Sequence, residues 1–280
     1  MKLIQKIAAL FAAVCMTASV AHASDNKIVV DGSTTVGPIA KAFAEYYMTL
    51  HPDVNITVSE SGSGNGAKGI INGACDVGAM SRFMKESEIK AASDKGVLPV
   101  PFAVAMDGLA VIVHPSNPVS GLTTDQVRDI YTGKITNWKE LGGQDAKIVV
   151  ISRDTNSGTY ETFYELVMTH SGTKEKIGQS AEYAGSNGAV RARVQSTPGA
   201  IGYAGLGFVD RQVKALTING IYPDTDTVSS GRYPIARALF MFSNGYPKLG
   251  TDLFNYLNLY LTPKGQEIIE AIGFVPVTKY

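Results

Sequence analysis

Cysteine is nearly missing from this sequence. Its 280 residues include two, Cys15 and Cys75, and Cys15 falls in a stretch that reads as an export leader. That stretch has Lys2 and Lys6, an apolar run from Ile7 to Val20, and Ala21-His22-Ala23 ahead of Ser24. Residues 1–23 are therefore expected to be cleaved, giving a periplasmic protein, with an extracellular location as the alternative. The apolar run is shorter than the roughly 20 residues of a membrane span, so no membrane insertion of the mature chain is expected. Val14 stands before Cys15 where a lipoprotein leader carries a small residue, which favours the soluble form. A single mature cysteine excludes an intramolecular disulfide and a cysteine metal cluster. Cys75, within A-C-D-V-G-A-M, reads as a small core residue.

Histidine and net charge are scarce too. Beyond the leader only His51, His114 and His170 remain, in no spaced ligand pattern, so neither a metal nor a cofactor is expected. Lys plus Arg and Asp plus Glu are 25 each, which gives no electrostatic reason to expect nucleic acid or an anionic membrane as partner. The sole tryptophan, Trp138, ends G-K-I-T-N-W and reads as packing. No low-complexity segment, charge block or internal repeat interrupts the chain. About 257 residues remain after the leader, enough for one large or two medium domains.

What is present is a series of strand-to-helix turns rich in hydroxyls and glycine. The most informative is R-D-T-N-S-G-T, from Arg153 to Thr159. It follows an apolar run from Lys147 to Ile151 and precedes Phe163, Tyr164, Val167 and Met168 at helical spacing. The first N–H groups of a helix lack partners and carry partial positive charge, so an anion is the natural ligand there. Ser157 and Thr159 add hydroxyls, Gly158 leaves the backbone open, and Arg153 supplies a planar charged fork. The plainer reading makes Asn156 or Ser157 an N-cap and Arg153 a surface charge.

Other turns repeat the theme. G-S-T-T-V-G-P places Thr34 and Thr35 before a helix opened by Pro38, where they could equally be caps. S-G-S-G-N-G-A-K-G, from Ser61 to Gly69, contains Gly64-x-Gly66-x-x-Gly69, a weak match to a dinucleotide fingerprint that serves any oxyanion equally well. Ser81-Arg82 ends a strand from Cys75 to Met80, ahead of a helical stretch from Lys85 to Ala92. Four strand ends thus deliver Ser or Thr into turns on the side where open α/β sheets bind ligands. Val97 to Val113 reads as two strands interrupted at Asp107-Gly108. Asp107 is either a turn residue or a carboxylate that accepts a ligand proton. Thr123-Thr124-Asp125-Gln126 reads as a capping box, and Ile235 to Phe242 is an apolar run able to return the chain to the first domain.

Together these segments, with D-V-G-A-M-S-R and T-P-G-A-I-G-Y, resemble the phosphate-binding proteins of Pst-type ABC transporters, in the same order from about Ile28 to Pro276. The resemblance implies an α/β, two-lobed periplasmic-binding-protein fold of type II. Each lobe would be a mixed sheet flanked by helices, and two crossing strands would form the hinge. It implies a first lobe of residues 24–107 plus 236–280 and a second of 108–235, with crossings near Asp107 and Ile235. It also implies a monomeric, non-enzymatic receptor that captures inorganic phosphate between its lobes and delivers it to a membrane permease. Thr34 and the backbone at Thr35 match its first phosphate loop, Ser63 and less closely Ser61 its second, and Arg153, Ser157, Gly158 and Thr159 its third.

One position departs from that pattern. Where well-known members carry an aspartate after G-A-S to accept the proton of hydrogen phosphate, this chain has Met80-Ser81-Arg82, and Asp107 is the expected substitute. Ser81 and Arg82 stay among the expected site residues. The competing readings are a binder of sulfate, molybdate or tungstate, a surface sensor or adhesin, and a secreted phosphate-ester hydrolase. The hydrolase would need a base beside Ser157 that the sequence does not offer.

Overall fold

The structure is a computed structural model that describes residues 26–278. The leader, its cleavage point and Cys15 lie outside the described residues. The first strand, β1 (Lys27–Gly32), leads into α1 (Gly37–Leu50), β2 (Asn55–Ser59), α2 (Ser63–Asn72), β3 (Val77–Met80) and α3 (Glu86–Asp94). β1 pairs in parallel with β2 on one side and β3 on the other, so the carboxyl ends of these strands and the amino ends of the helices that follow share one edge. α1 explains its own placement. Pro38 sits in its first turn, and Ile39, Ala40, Phe43, Ala44 and Tyr47 are buried on one face, at the spacing of an amphipathic helix.

The glycines of the second turn serve close packing. A Cβ on Gly66 would lie 2.8 Å from the Ala79 carbonyl oxygen, and one on Gly69 would lie 2.6 Å from Cys75 Sγ. α2 can therefore rest directly on the sheet, which is why the spacing mimics a dinucleotide motif. Cys75 is buried, and that burial pushes its thiol up to about 11, consistent with a packing role.

Next comes β4 (Pro99–Val113), one continuous 15-residue strand where the sequence suggested two. Extended backbone tolerates Gly108 because the position faces a close neighbour: a Cβ there would lie 2.7 Å from Val228 Cγ2. Beyond β4 lie β5 (Gly121–Leu122), α4 (Thr124–Thr132), β6 (Val149–Arg153), α5 (Gly158–Phe163), β7 (Glu182–Ala184), α6 (Asn187–Gln195), β8 (Ala200–Gly205), β9 (Lys214–Ala215), β10 (Thr217–Ile218) and α7 (Thr225–Ser229). The return strand is β11 (Ala236–Asn244), followed by α8 (Asp252–Leu257) and α9 (Pro263–Ala271). Thr123 and Gln126 form the expected capping box at α4. Trp138 is buried and donates its indole N–H to the Gly199 carbonyl at 2.9 Å.

Nine strands form one sheet in the order β2-β1-β3-β11-β4-β8-β6-β7, with β9 alongside β4, and β10 and β5 form a separate two-stranded parallel sheet. β11 runs antiparallel to β3 and to β4, whereas β8, β6 and β7 are parallel to one another. β4 changes partners midway. From Pro99 to Gly108 it pairs with β11, and from Leu109 to Val113 with β8. The hydrophobic core divides at the same point, one cluster containing Val104, Ala105 and Leu239 and another containing Leu109, Val111 and Ile235. A mixed sheet with separate hydrophobic clusters on either side of this point, joined by the antiparallel pair β4 and β11, is the two-lobed type II arrangement. Among the described residues no helix is long and apolar enough to cross a membrane.

Candidate functional site

Between the lobes the strand-to-helix turns meet face to face. Ser33 closes the turn that leads into α1, because its Oγ accepts from the Thr35 and Val36 N–H groups at 3.1 and 3.3 Å. Thr34 and Thr35 are thereby released from the capping role and turn across the cleft. Thr35 Oγ1 lies 3.0 Å from Thr159 Oγ1. At α5, Ser157 is indeed the N-cap and accepts from Thr159 and Tyr160 N–H, each at 3.2 Å. Its hydroxyl proton remains available as a donor.

The α2 and β3 ends arrive opposite α5. Ser63 Oγ accepts from Ser81 N–H at 3.1 Å and lies 3.3 Å from Ser81 Oγ. A Cβ on Gly158 would come within 2.5 Å of Ser63 Oγ and 2.7 Å of Ser81 Oγ, so only glycine permits this approach. At the rim, Asn156 Nδ2 donates to the Ser61 carbonyl at 3.0 Å and Gly64 N–H donates to the Asn156 carbonyl at 3.1 Å. Ser61 itself is exposed. Hydrogen bonds across the cleft at several points mean that the lobes are closed.

The charges come from the second lobe and the crossing strands. Arg153 is 1% exposed, which sets aside the surface-charge reading. Its Nε and Nη2 donate to the Ala184 and Gly185 carbonyls at 2.9 and 3.1 Å, while buried Nη1 has no protein partner. Burial pushes this guanidinium down to about 10, still charged near neutrality. Arg237 on β11 is also buried. It donates from Nε and Nη2 to Asp107 Oδ2 at 3.1 and 2.9 Å. Nη2 further reaches Thr159 Oγ1 at 3.1 Å and Thr35 Oγ1 at 3.3 Å, and Nη1 is buried without a partner.

Asp107 is fully buried on β4 and is not a turn residue. Its Oδ1 accepts the Leu206 N–H at 2.8 Å and its Oδ2 takes both Arg237 bonds. Burial pushes the carboxyl up, and Arg237 and the Leu206 N–H oppose that. Every neighbour named here is a donor, which matches the ionised form. These bonds cast Asp107 as the support of Arg237 rather than as a carboxylate turned to a ligand.

Arg82 is the expected arginine whose charged group is directed elsewhere. Its guanidinium pairs with Glu88 at 2.8 Å and with Glu161 of α5, and Lys85 joins Glu161 at 2.7 Å. It therefore forms a charged bridge between the lobes. Thr34, Thr35, Ser63, Ser81, Asp107, Arg153, Ser157, Gly158 and Thr159 are brought together, all buried.

Two members of this cluster were absent from the sequence reading. Arg237 had a signal, being the one charge inside the apolar run from Ile235 to Phe242. Asn187 had none, since S-N-G before a helix reads as an ordinary cap, and Ser186 does cap α6. Asn187 Nδ2 nonetheless crosses the cleft to Thr34 Oγ1 at 3.0 Å and Thr35 Oγ1 at 2.9 Å.

Comparison with known proteins places this geometry. A PBP superfamily domain model matches residues 17–258. The Phosphate-binding protein PstS of Bacillus subtilis (strain 168) is 33% identical over 261 residues, covering 91% of this chain and 82% of that protein. The PstS of Borreliella burgdorferi is 30% identical over 264 residues, covering 90% and 91%. Among solved structures, a proposed phosphate ABC transporter substrate-binding protein from Clostridium perfringens, with bound phosphate, superposes with a TM-score of 0.82 at 35% identity, over 90% of this chain and 100% of that one. An ABC-type phosphate transport receptor from Vibrio cholerae gives 0.70 at 29% identity, over 89% and 99%.

Proposed function

This chain belongs to the PstS family of phosphate-binding proteins within the PBP superfamily, and we propose that it captures inorganic phosphate between its lobes and hands it to the permease of an ABC importer. The observation that carries the reading is a charge imbalance. Of two buried guanidiniums, Arg237 is paired with the buried carboxylate of Asp107 and Arg153 with no buried carboxylate, and each keeps its Nη1 without a protein partner. A buried charge without a counter-charge is costly, and a bound oxyanion supplies that charge and accepts those N–H groups. Serine, threonine and the helix amino ends at Gly37, Ser63 and Gly158 complete a donor-rich shell suited to a tetrahedral anion.

In this reading the ligand is held by Thr34, Ser63, Ser81, Arg153, Ser157, Gly158, Thr159 and Arg237, and Thr35 stands behind Thr159. Asp107 positions Arg237. The partner switch of β4 and the split of the core support a hinge at Gly108 on the way out and at Ala236 on return, with lobes of residues 24–107 plus 236–280 and 108–235. An exported, monomeric receptor without catalytic activity fits the family.

A second reading follows from the carboxylate. With Asp107 engaged by Arg237 and Leu206, the basis for rejecting a fully ionised oxyanion is weaker, and sulfate becomes a competitor. Calorimetric titration of anion-stripped protein with phosphate, then with sulfate in competition, decides between them. Tight one-to-one phosphate binding that excess sulfate fails to displace is the expected result. Equal or tighter sulfate binding reassigns the ligand, and no oxyanion binding removes the site.

A further inference from the structure

We infer that Asn187 sets the direction of the hydroxyl protons in the cleft, and that through it Thr159 is held as a donor to the bound anion. This rests on the oxyanion reading above. The orientation of the Asn187 amide is fixed by its neighbours, because its Oδ1 accepts the Gly205 N–H at 3.3 Å. A flipped amide would set NH₂ against that N–H. Both Nδ2 protons therefore go across the cleft, one to Thr34 Oγ1 and one to Thr35 Oγ1.

The consequences propagate by counting. Thr35 Oγ1 accepts from Asn187 at 2.9 Å and from Arg237 Nη2 at 3.3 Å, which occupies its two acceptor positions. One Nη2 proton serves Asp107, and the other is shared between Thr35 and Thr159 at 3.3 and 3.1 Å, a bifurcated bond. The Thr35 proton must then point to Thr159 Oγ1, 3.0 Å away. Thr159 Oγ1 now accepts from Thr35 and Arg237, and its own proton is left for the ligand. Thr34, accepting from Asn187, likewise turns its proton away from the amide.

Without Asn187 the Thr35–Thr159 pair could run either way, and in the reverse sense Thr159 would present a lone pair to the anion. Asn187 is thus a positioning residue acting through Thr34 and Thr35. The charged groups around it are Asp107 and Arg237 on the crossing strands and Arg153 on β6. On its own helix, Arg191 and Arg193 are engaged by Asp210 and Glu182. Tyr203 of β8 is turned to Ser152 and Arg153.

Asn187→Asp tests this, because it keeps the acceptor for Gly205 and replaces the two donors by a carboxylate oxygen. The Thr34 and Thr35 protons would then be drawn to Asp and away from Thr159. We expect phosphate affinity about tenfold or more below wild type at pH 8. That ratio should narrow toward pH 5 as the new carboxyl gains a proton and one donor returns. Asn187→Leu, which removes donors and charge, should weaken binding by a similar factor at every pH. Wild-type protein that binds phosphate while the Asp variant stays within twofold of it across pH 5–8 overturns the inference alone, as does a folded Leu variant with wild-type affinity. Wild-type protein that binds neither phosphate nor sulfate overturns the oxyanion reading beneath it.

Discussion

From the first lobe the cleft receives Ser33, Thr34, Thr35, Ser63 and Ser81, all buried and all neutral. From the second lobe and the crossing strands it receives Arg153, Arg237 and Asp107 as well as Ser157 and Thr159. The arginine of the first lobe, Arg82, faces carboxylates at the rim instead. This division has a mechanistic meaning. Long-range attraction for an anion comes from the wall that carries Arg153, pre-held by carbonyls, and from Arg237 on the crossing strands, itself paired with Asp107, whereas the turns of the first lobe offer hydroxyls and N–H groups that act only at contact distance. Capture by the charged wall followed by closure of the neutral one is the sequence of events such an arrangement favours.

The strongest way to break the comparison is to discharge the charged wall. Arg153→Met should lower phosphate affinity by about tenfold to a few hundredfold, the worth of one or two charge-assisted bonds of roughly 1.5–3 kcal/mol. Unchanged affinity by calorimetry would place the essential charge elsewhere. Asp107→Asn acts at the crossing strands and in the opposite sense. It leaves Arg237 buried without its counter-charge, at a cost of roughly 3–5 kcal/mol, so thermal unfolding of ligand-free protein should fall by roughly 6–20 °C. Because phosphate then supplies the missing charge, it should raise the melting temperature of this variant more than that of wild type. If Asp107 instead accepts the ligand's proton, the variant will lose its preference for phosphate over sulfate while the melting temperature of ligand-free protein barely moves.

The neutral wall is tested by shape. Gly158→Ala puts a Cβ within 2.5 Å of Ser63 Oγ, so closure should be impeded and affinity should drop about tenfold, while ligand-free stability changes by no more than about 1 kcal/mol. Wild-type affinity in this variant would mean that the lobes need not approach so closely. The smallest effect is expected at the rim. Arg82→Ala removes a partly exposed inter-lobe ion pair of about 0–1 kcal/mol, so phosphate release should quicken by up to about fivefold at low salt and converge with wild type at high salt. A loss as large as that of Arg153→Met would return Arg82 to the ligand.

Local patterns in the chain were enough to locate the turns that matter. Strand runs ending in Ser or Thr, Pro38 in a first helical turn and the glycines of α2 each carry a local physical reason, and all lie within a few residues of one another in sequence. The single strand β4 was misread as two because Asp-Gly is a turn signal, and only the pairing of β11 on one half and β8 on the other keeps that backbone extended through Gly108. The ion pair of Arg82 with Glu161 could not be read from the chain, because the two lie 79 residues apart.

The sequence by itself determined a donor-rich edge of an α/β sheet, a chain whose only cysteine beyond residue 23 is Cys75, and no net charge to attract a polymer. Those properties depend on residue types and spacings of a few positions. Tertiary structure decided which hydroxyls are spent on capping and which face the ligand, and that Asp107 supports Arg237. It also decided that Asn187 reaches 152 residues back to Thr35. Hydrogen-bond polarity and burial of charge are properties of neighbours brought together across two lobes, and no local pattern in the chain encodes who those neighbours are.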